Sequence, residues 1–200
     1  MITLGITGPT GCGKTTFLQE ITACGGEVVD CDALYYALLK KDPELRAALQ
    51  EVFGDVFFPD GSLDRQRLAA CVFSDGKQLA RLNEIVFFYV GRAVKALQAH
   101  ARRSQKPMFA IDAINLIESG MGESCDAVIG VLAPRQARLA RIMARDGLTE
   151  AAANARINAQ KPDDFYRRHC RYLLTNDTTL DAFRAQSRWL LQNILKEETP

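Results

Sequence analysis

Eight residues, Gly8-Pro9-Thr10-Gly11-Cys12-Gly13-Lys14-Thr15, follow directly on the apolar run Ile2-Thr3-Leu4-Gly5-Ile6-Thr7. The run reads as a buried strand, and the glycines as a tight loop feeding a helix. Few chains can satisfy that order without wrapping a polyphosphate. The backbone of such a loop passes close around the ligand with N–H groups turned inward, in conformations that a side chain opposes, which is why glycine recurs. Lys14 would bring a point charge to the β- and γ-phosphates, Thr15 a hydroxyl to Mg²⁺, and the next helix its positive N-terminal end. The alternative is a glycine-rich strand-to-helix turn with no ligand. Strand, loop and helix in this order favour the phosphate reading.

Composition limits what the rest of the molecule can be. Two hundred residues, 48% hydrophobic and 24% charged, suffice for one substantial core, and a single domain over 1–200 is expected. The net charge of +1 gives no overall attraction to nucleic acid or a membrane surface, so phosphate affinity must be local. No basic segment leading into an apolar stretch opens the sequence, and no apolar run reaches the roughly 18 residues of a membrane span. A cytoplasmic protein is expected. Six cysteines lie apart from one another and only His100 and His169 could join them, which argues against zinc and for reduced thiols. Nearby donors in the loop could lower the pKa of Cys12; the simpler reading is a small side chain turned away from the nucleotide.

Short apolar runs alternate with helical patterns, which predicts an α/β fold with a parallel sheet covered on both faces. Strands are expected at residues 2–7, 27–30, 108–112, 126–132 and 171–175. Nearly eighty residues between the second and third runs read as helices, with Asp42-Pro43 opening one and Phe53-Gly54 closing it. Residues 75–104 continue as one long amphipathic helix or two. So long a crossover points to a separate helical lobe. From Pro134 the pattern is helical and rich in arginine, and Thr149-Glu150 starts a partner helix running to about Gln160. Residues 178–196 form a last amphipathic helix carrying Trp189, and 197–200 a frayed tail.

Asp30-Cys31-Asp32 ends the second strand, the side of an open parallel sheet where ligands bind. In extended backbone, residues two apart point the same way, so both carboxylates could face one site. One could accept a proton from an attacking hydroxyl and either could hold water on Mg²⁺. Asp32 could instead cap the next helix. Met108-Phe109-Ala110-Ile111-Asp112 places another carboxylate at a strand end, where phosphate-loop enzymes hold magnesium. Glu118 could reach the acceptor side or be a solvated loop charge. Arg138, Arg141 and Arg145 lie within roughly 60° of one another on a helix, one face carrying three guanidinium groups that could neutralise a transferring phosphoryl group.

In order from Ile2 to Asn176, these pieces resemble the dephospho-CoA kinase family, within the wider nucleoside-monophosphate-kinase-like group. The resemblance also takes in Val29-Asp30-Cys31-Asp32, Phe53-Gly54, Asp60-Gly61-Ser62-Leu63-Asp64-Arg65-Gln66-Arg67-Leu68, Val72-Phe73, Leu82-Asn83 and Ile111-Asp112-Ala113. Glu118-Ser119-Gly120, Cys125-Asp126, Arg145-Asp146 and the run from Arg156 to Gln160 extend it. It implies a P-loop kinase core with a five-stranded parallel sheet flanked by helices (1–32, 105–133, 170–200), a helical acceptor lobe (33–104) and a helical lid (134–169). The implied reaction is transfer of the γ-phosphate of ATP, with Mg²⁺, to the ribose 3′-hydroxyl of dephospho-CoA, giving coenzyme A.

Carried over by position, Asp32 looks like the general base, Lys14 the phosphate clamp, and Arg141 and Arg145 the lid residues on the phosphates. The ATP site would comprise Gly8, Gly11, Cys12, Gly13, Lys14, Thr15, Thr16, Arg138 and Arg141, with Asn176 at the adenine edge. The acceptor site would hold Asp30, Asp32, Tyr36, Phe87 and Glu118, and the metal Thr15 and Asp112. The implied partners are ATP and dephospho-CoA, with no nucleic acid or membrane, and a monomer or weak homo-oligomer. The departures fall on the acceptor side: Tyr36 stands where the family usually has arginine, Phe87-Phe88 where it has His-Pro, and Ile114-Asn115-Leu116 where it has Pro-Leu-Leu. Two other readings remain. One is a P-loop kinase for a different nucleoside or small alcohol, the other a low-turnover ATP-dependent regulator.

Overall fold

All six residues of strand β1 (Ile2–Thr7) are buried, because the strand has neighbours on both edges and helices over both faces. The computed structural model describes residues 1–73 and 76–197. The elements run β1, α1 (Lys14–Ala23), β2 (Glu27–Asp30), α2 (Cys31–Lys41), α3 (Pro43–Phe53), α4 (Arg65–Phe73) and α5 (Gly76–Arg103). They continue with β3 (Met108–Asp112), β4 (Ala127–Leu132), α6 (Arg135–Asp146), α7 (Glu150–Asn158), α8 (Asp163–His169), β5 (Tyr172–Thr175) and α9 (Leu180–Glu197). The sheet is five-stranded and parallel, in the order β2-β3-β1-β4-β5. Ile6 pairs with Asp112 of β3 and Thr7 with Gly130 of β4, so the carboxyl ends of the three central strands finish beside the loop that leaves β1.

The chain divides into two compact units, residues 1–29 with 101–200, and residues 30–100. In the first, Leu4, Ile6, Phe17, Ile21, Ile129, Phe183 and Leu191 interlock between the sheet and α1 and α9. Glu20 of α1 is buried there, and α9 answers its charge: Arg188 Nη1 lies 2.8 Å and Arg184 Nε 3.5 Å from its oxygens. A smaller core of Leu139, Ile142, Ala153 and Ile157 joins α6 to α7, and Arg135 binds Asn154 and Asn158 at 2.8 Å each.

In the second unit, Leu45, Leu49, Phe53, Val56, Leu68 and Val72 form the core. Asp42 caps α3 by accepting from the Glu44 and Leu45 N–H groups, with Pro43 in the first turn where no N–H is needed. The Asp60-to-Arg65 segment folds as a turn followed by a cap: Gly61 takes φ +82°, and Asp64 accepts from the Gln66 and Arg67 N–H groups at the start of α4.

Several details differ from the sequence-based expectations. Strands β4 and β5 each begin one residue later than predicted, at Ala127 and Tyr172. The segment predicted over 75–104 is one helix from Gly76, its first residue falling outside the described set, as does most of the tail at 198–200. Helix α8 was not anticipated. At the end of β2 the extended backbone stops at Asp30, and Asp30 rather than Asp32 is the cap, accepting from the N–H groups of Asp32 (2.9 Å) and Ala33 (3.0 Å). Asp30 and Asp32 therefore do not share a strand face by two-residue alternation, since Cys31 and Asp32 are already helical.

Candidate active site

The loop between β1 and α1 can be followed peptide by peptide. Gly8 has φ +141°, and a Cβ there would sit 2.1 Å from the Val131 carbonyl oxygen. Gly13 has φ +106°, and its Cβ would fall 2.2 Å from Asn176 Nδ2. Both contacts are far inside van der Waals distance, and the first is against backbone that cannot give way. Only glycine permits this path. Lys14 begins α1, and its Nζ donates to the Gly8 carbonyl at 2.8 Å, which folds the side chain back across the loop. Thr15 is exposed and Thr16 partly so, both in the first turn of α1, where the Thr16 N–H donates to the Gly13 carbonyl at 3.1 Å.

Helix α6 lies against the same loop, and three of its four arginines meet it, two at backbone carbonyls and one at a hydroxyl. Arg138 Nε donates to Thr10 O at 3.0 Å, and Arg141 Nη1 to Gly11 O at 3.1 Å and Cys12 O at 3.4 Å. Arg145 reaches the Thr10 hydroxyl at 3.5 Å while holding Asp146 in two bonds of 2.7 and 2.9 Å. Arg156 of α7 also binds Asp146, whose carboxyl is held below its ordinary range by the Arg145 hydrogen bonds first and the charges of Arg145 and Arg156 after. Arg138 differs from the other two. It is 5% exposed, and burial lowers the affinity of its guanidinium for a proton, with Asp163 opposing that. Its guanidinium is engaged by Thr10, Gln160 and Asp163.

Asn176, between β5 and α9, is buried on the loop as well. Its Nδ2 donates to Cys12 O at 3.0 Å and its Oδ1 accepts from Arg141 Nη2 at 3.3 Å. Cys12 is wholly buried, and burial raises its thiol pKa more than the Lys14 charge lowers it. Activation of that thiol by neighbouring donors, one of the two possibilities the sequence allowed, is not what the loop produces.

Asp112 ends β3 in register with Ile6, half-buried, and its charge acts weakly on the Cys12 thiol. One carboxylate and one hydroxyl suit a Mg²⁺ ion that arrives on phosphates and keeps several waters. The described residues contain no cluster of three or more ligating side chains that would form a metal cage by themselves. Glu118 is exposed, and its charge is felt by Tyr166, whose phenol is pushed up to about 12 chiefly by burial.

Within residues 30–100, Asp32 is exposed in the first turn of α2 and Tyr36 lies one turn further on. The Arg65 guanidinium stacks over the Tyr36 ring at 4.7 Å, and the two form one side of a ≈ 210 Å³ cavity walled otherwise by Tyr35, Leu63, Leu68 and Val72. Phe87 is half-buried and is not among the residues of that wall, while the neighbouring Phe88 is 63% exposed. Arg65 and Gln160 belong to the longer runs Asp60–Leu68 and Arg156–Gln160, and nothing in their local sequence sets them apart.

The dephospho-CoA kinase family model matches residues 2–182. The chain belongs to the dephospho-CoA kinase family. A protein of that name from Deinococcus radiodurans is 38% identical over 183 residues, covering 92% of this chain and 87% of the relative. A crystal structure from Thermus thermophilus superposes with TM-score 0.77 at 32% identity, covering 100% of this chain and 98% of the other. The structure titled dephospho-CoA kinase from Campylobacter jejuni shares the fold, with TM-score 0.69 at 22% identity and 98% coverage of both chains. A dephospho-CoA kinase uses ATP, and in this chain the loop after β1, Arg138, Arg141 and Arg145 of α6, and Asn176 form one connected network.

Proposed function

We propose that the chain phosphorylates the ribose 3′-hydroxyl of dephospho-CoA with ATP, releasing coenzyme A and ADP, in the cytoplasm, as a monomer or weak homo-oligomer. The observation that carries this reading is the Gly8–Thr15 loop with Arg141 bonded along it, in a chain matched to its family over residues 2–182. ATP enters with its phosphates against the loop N–H groups and the N-terminus of α1. Lys14 exchanges the Gly8 carbonyl for phosphate oxygens, and Arg141 and Arg145 turn from loop carbonyl and hydroxyl to the charge that spreads over the transferring group. The lid they belong to excludes water while they do so. Thr15 and Asp112 would hold Mg²⁺, which would supply positive charge to offset that of the phosphates.

Asp32 takes the proton from the 3′-hydroxyl as it attacks. Asp30 is less suited, because its Oδ1 is committed to capping α2. Asn176 braces the loop beside the adenine. Tyr36 and Arg65 serve the acceptor: the aromatic face and the guanidinium give the lobe a planar surface and a cation, the chemistry an adenine nucleotide with a diphosphate requires. The test is purified protein with MgATP and dephospho-CoA, read by mass spectrometry for coenzyme A. No coenzyme A, but ADP released with another alcohol from a panel, would transfer the assignment to that acceptor.

A further inference from the structure

Gln160 sits in the connection between α7 and α8, and its Oε1 accepts two hydrogen bonds at once, from Thr10 N–H at 2.9 Å and from Arg138 Nη2 at 3.0 Å. Arg138 Nε returns to the Thr10 carbonyl at 3.0 Å, so three bonds close a ring around a single residue of the loop. Both partners of Gln160 are donors, so the amide oxygen has to face them. The rest of the Arg138 fork points at Asp163, 3.8 Å away at the start of α8. Thr10 is followed by Gly11 at φ +77°, a residue with many conformations open to it. A glycine loop left to itself would have to be ordered by the nucleotide, at a cost in affinity. Here the lid side orders it beforehand.

We propose that Gln160 is a positioning residue for the nucleotide: with Arg138 it holds the Thr10 peptide in the ATP-binding shape, so that α6, the α7–α8 connection and the loop move as one piece. The proposal rests on the reading of Gly8–Thr15 as the ATP site and predicts a chemical requirement that packing alone does not. The side chain must offer an acceptor to two donors. A carboxylate meets that requirement, and a thioether of the same length does not.

The experiment uses the full chain and reads MgATP affinity by calorimetry, amide exchange across residues 9–12, and the urea midpoint. Gln160→Met is expected to weaken ATP binding about tenfold, the effect of losing two modest hydrogen bonds, and to speed exchange at Thr10, with the KM for dephospho-CoA unchanged. Gln160→Glu is expected to stay within about threefold of the wild type. If Gln160→Met binds ATP as the wild type does, or if Gln160→Glu is as weak as Gln160→Met, the proposal fails. Should Gln160→Met not fold, Gln160→Asn, too short to reach both donors, takes its place under the same criteria. Wild-type protein that binds ATP but leaves dephospho-CoA unchanged overturns only the acceptor assignment; wild-type protein that does not bind ATP overturns both.

Discussion

Asp30 and Asp32 differ by one helical boundary, and that boundary separates their tasks. Asp30 is extended and spends an oxygen on two N–H groups, whereas Asp32 is one residue into α2. Asparagine caps a helix about as well as aspartate, so Asp30→Asn should leave the urea midpoint within about 0.5 kcal/mol of the wild type and most turnover intact. Asp32→Asn should lower turnover by about 10²–10⁴-fold, the usual worth of a positioned base, with ATP binding unchanged. Steady-state kinetics beside calorimetry checks both, and equal losses would reassign the base. Gly13→Ala should weaken ATP binding by more than about tenfold through backbone strain, because the new Cβ meets the buried Asn176 amide.

The motif itself was legible because glycine spacing encodes a backbone path. The separate fate of Arg138 was not. A helical wheel places three arginines on one face, but their partners in the loop lie about 130 residues earlier in the chain. Asn176 raises the same difficulty, since its bond to the Cys12 carbonyl spans 164 positions.

Among the elements, apolar runs revealed all five strands, and the Asp42-Pro43 and Phe53-Gly54 signals bracketed α3. Helix α8 escaped because seven residues, Asp163–His169, bury only Tyr166 and leave too few apolar positions to show a period. What holds elements together was also hidden. Nothing local marks Glu20 as buried, yet it fastens α1 to α9 through Arg188 and Arg184. Arg188→Met should cost about 1–2 kcal/mol in urea unfolding, less than a fully buried pair because Arg188 is half in solvent. On the acceptor lobe, Arg65→Ala should raise the KM for dephospho-CoA about tenfold, as expected for a lost cation–π and ionic contact, with the KM for ATP unaffected. An equal rise in both would show that Arg65 acts on folding instead.

For the molecule as a whole, alkaline pH probes the core directly. Cys125, just before β4, has its thiol pushed up to about 12, by burial first and by the adjacent Asp126 charge second. The folded state therefore holds this proton more tightly than the unfolded chain, whose thiol titrates near 9. Its contribution is complete below pH 9 and is lost as pH rises toward 12, at a limiting slope of about 1.4 kcal/mol per pH unit. Urea midpoints measured from pH 8 to 11 should fall more steeply for the wild type than for Cys125→Ala; parallel curves would mean that other groups control the transition.

Strand β1 is made long before either of its neighbours in the sheet. Its partners are Met108 through Asp112 on one side and Ala127 through Gly130 on the other, more than a hundred positions downstream. A nascent chain therefore carries an unpaired, largely apolar strand until about another hundred residues have been made, and contacts this distant in sequence form slowly. Synthesis that outruns the cell's chaperones should send the protein into inclusion bodies, and slowing translation at low temperature should recover it.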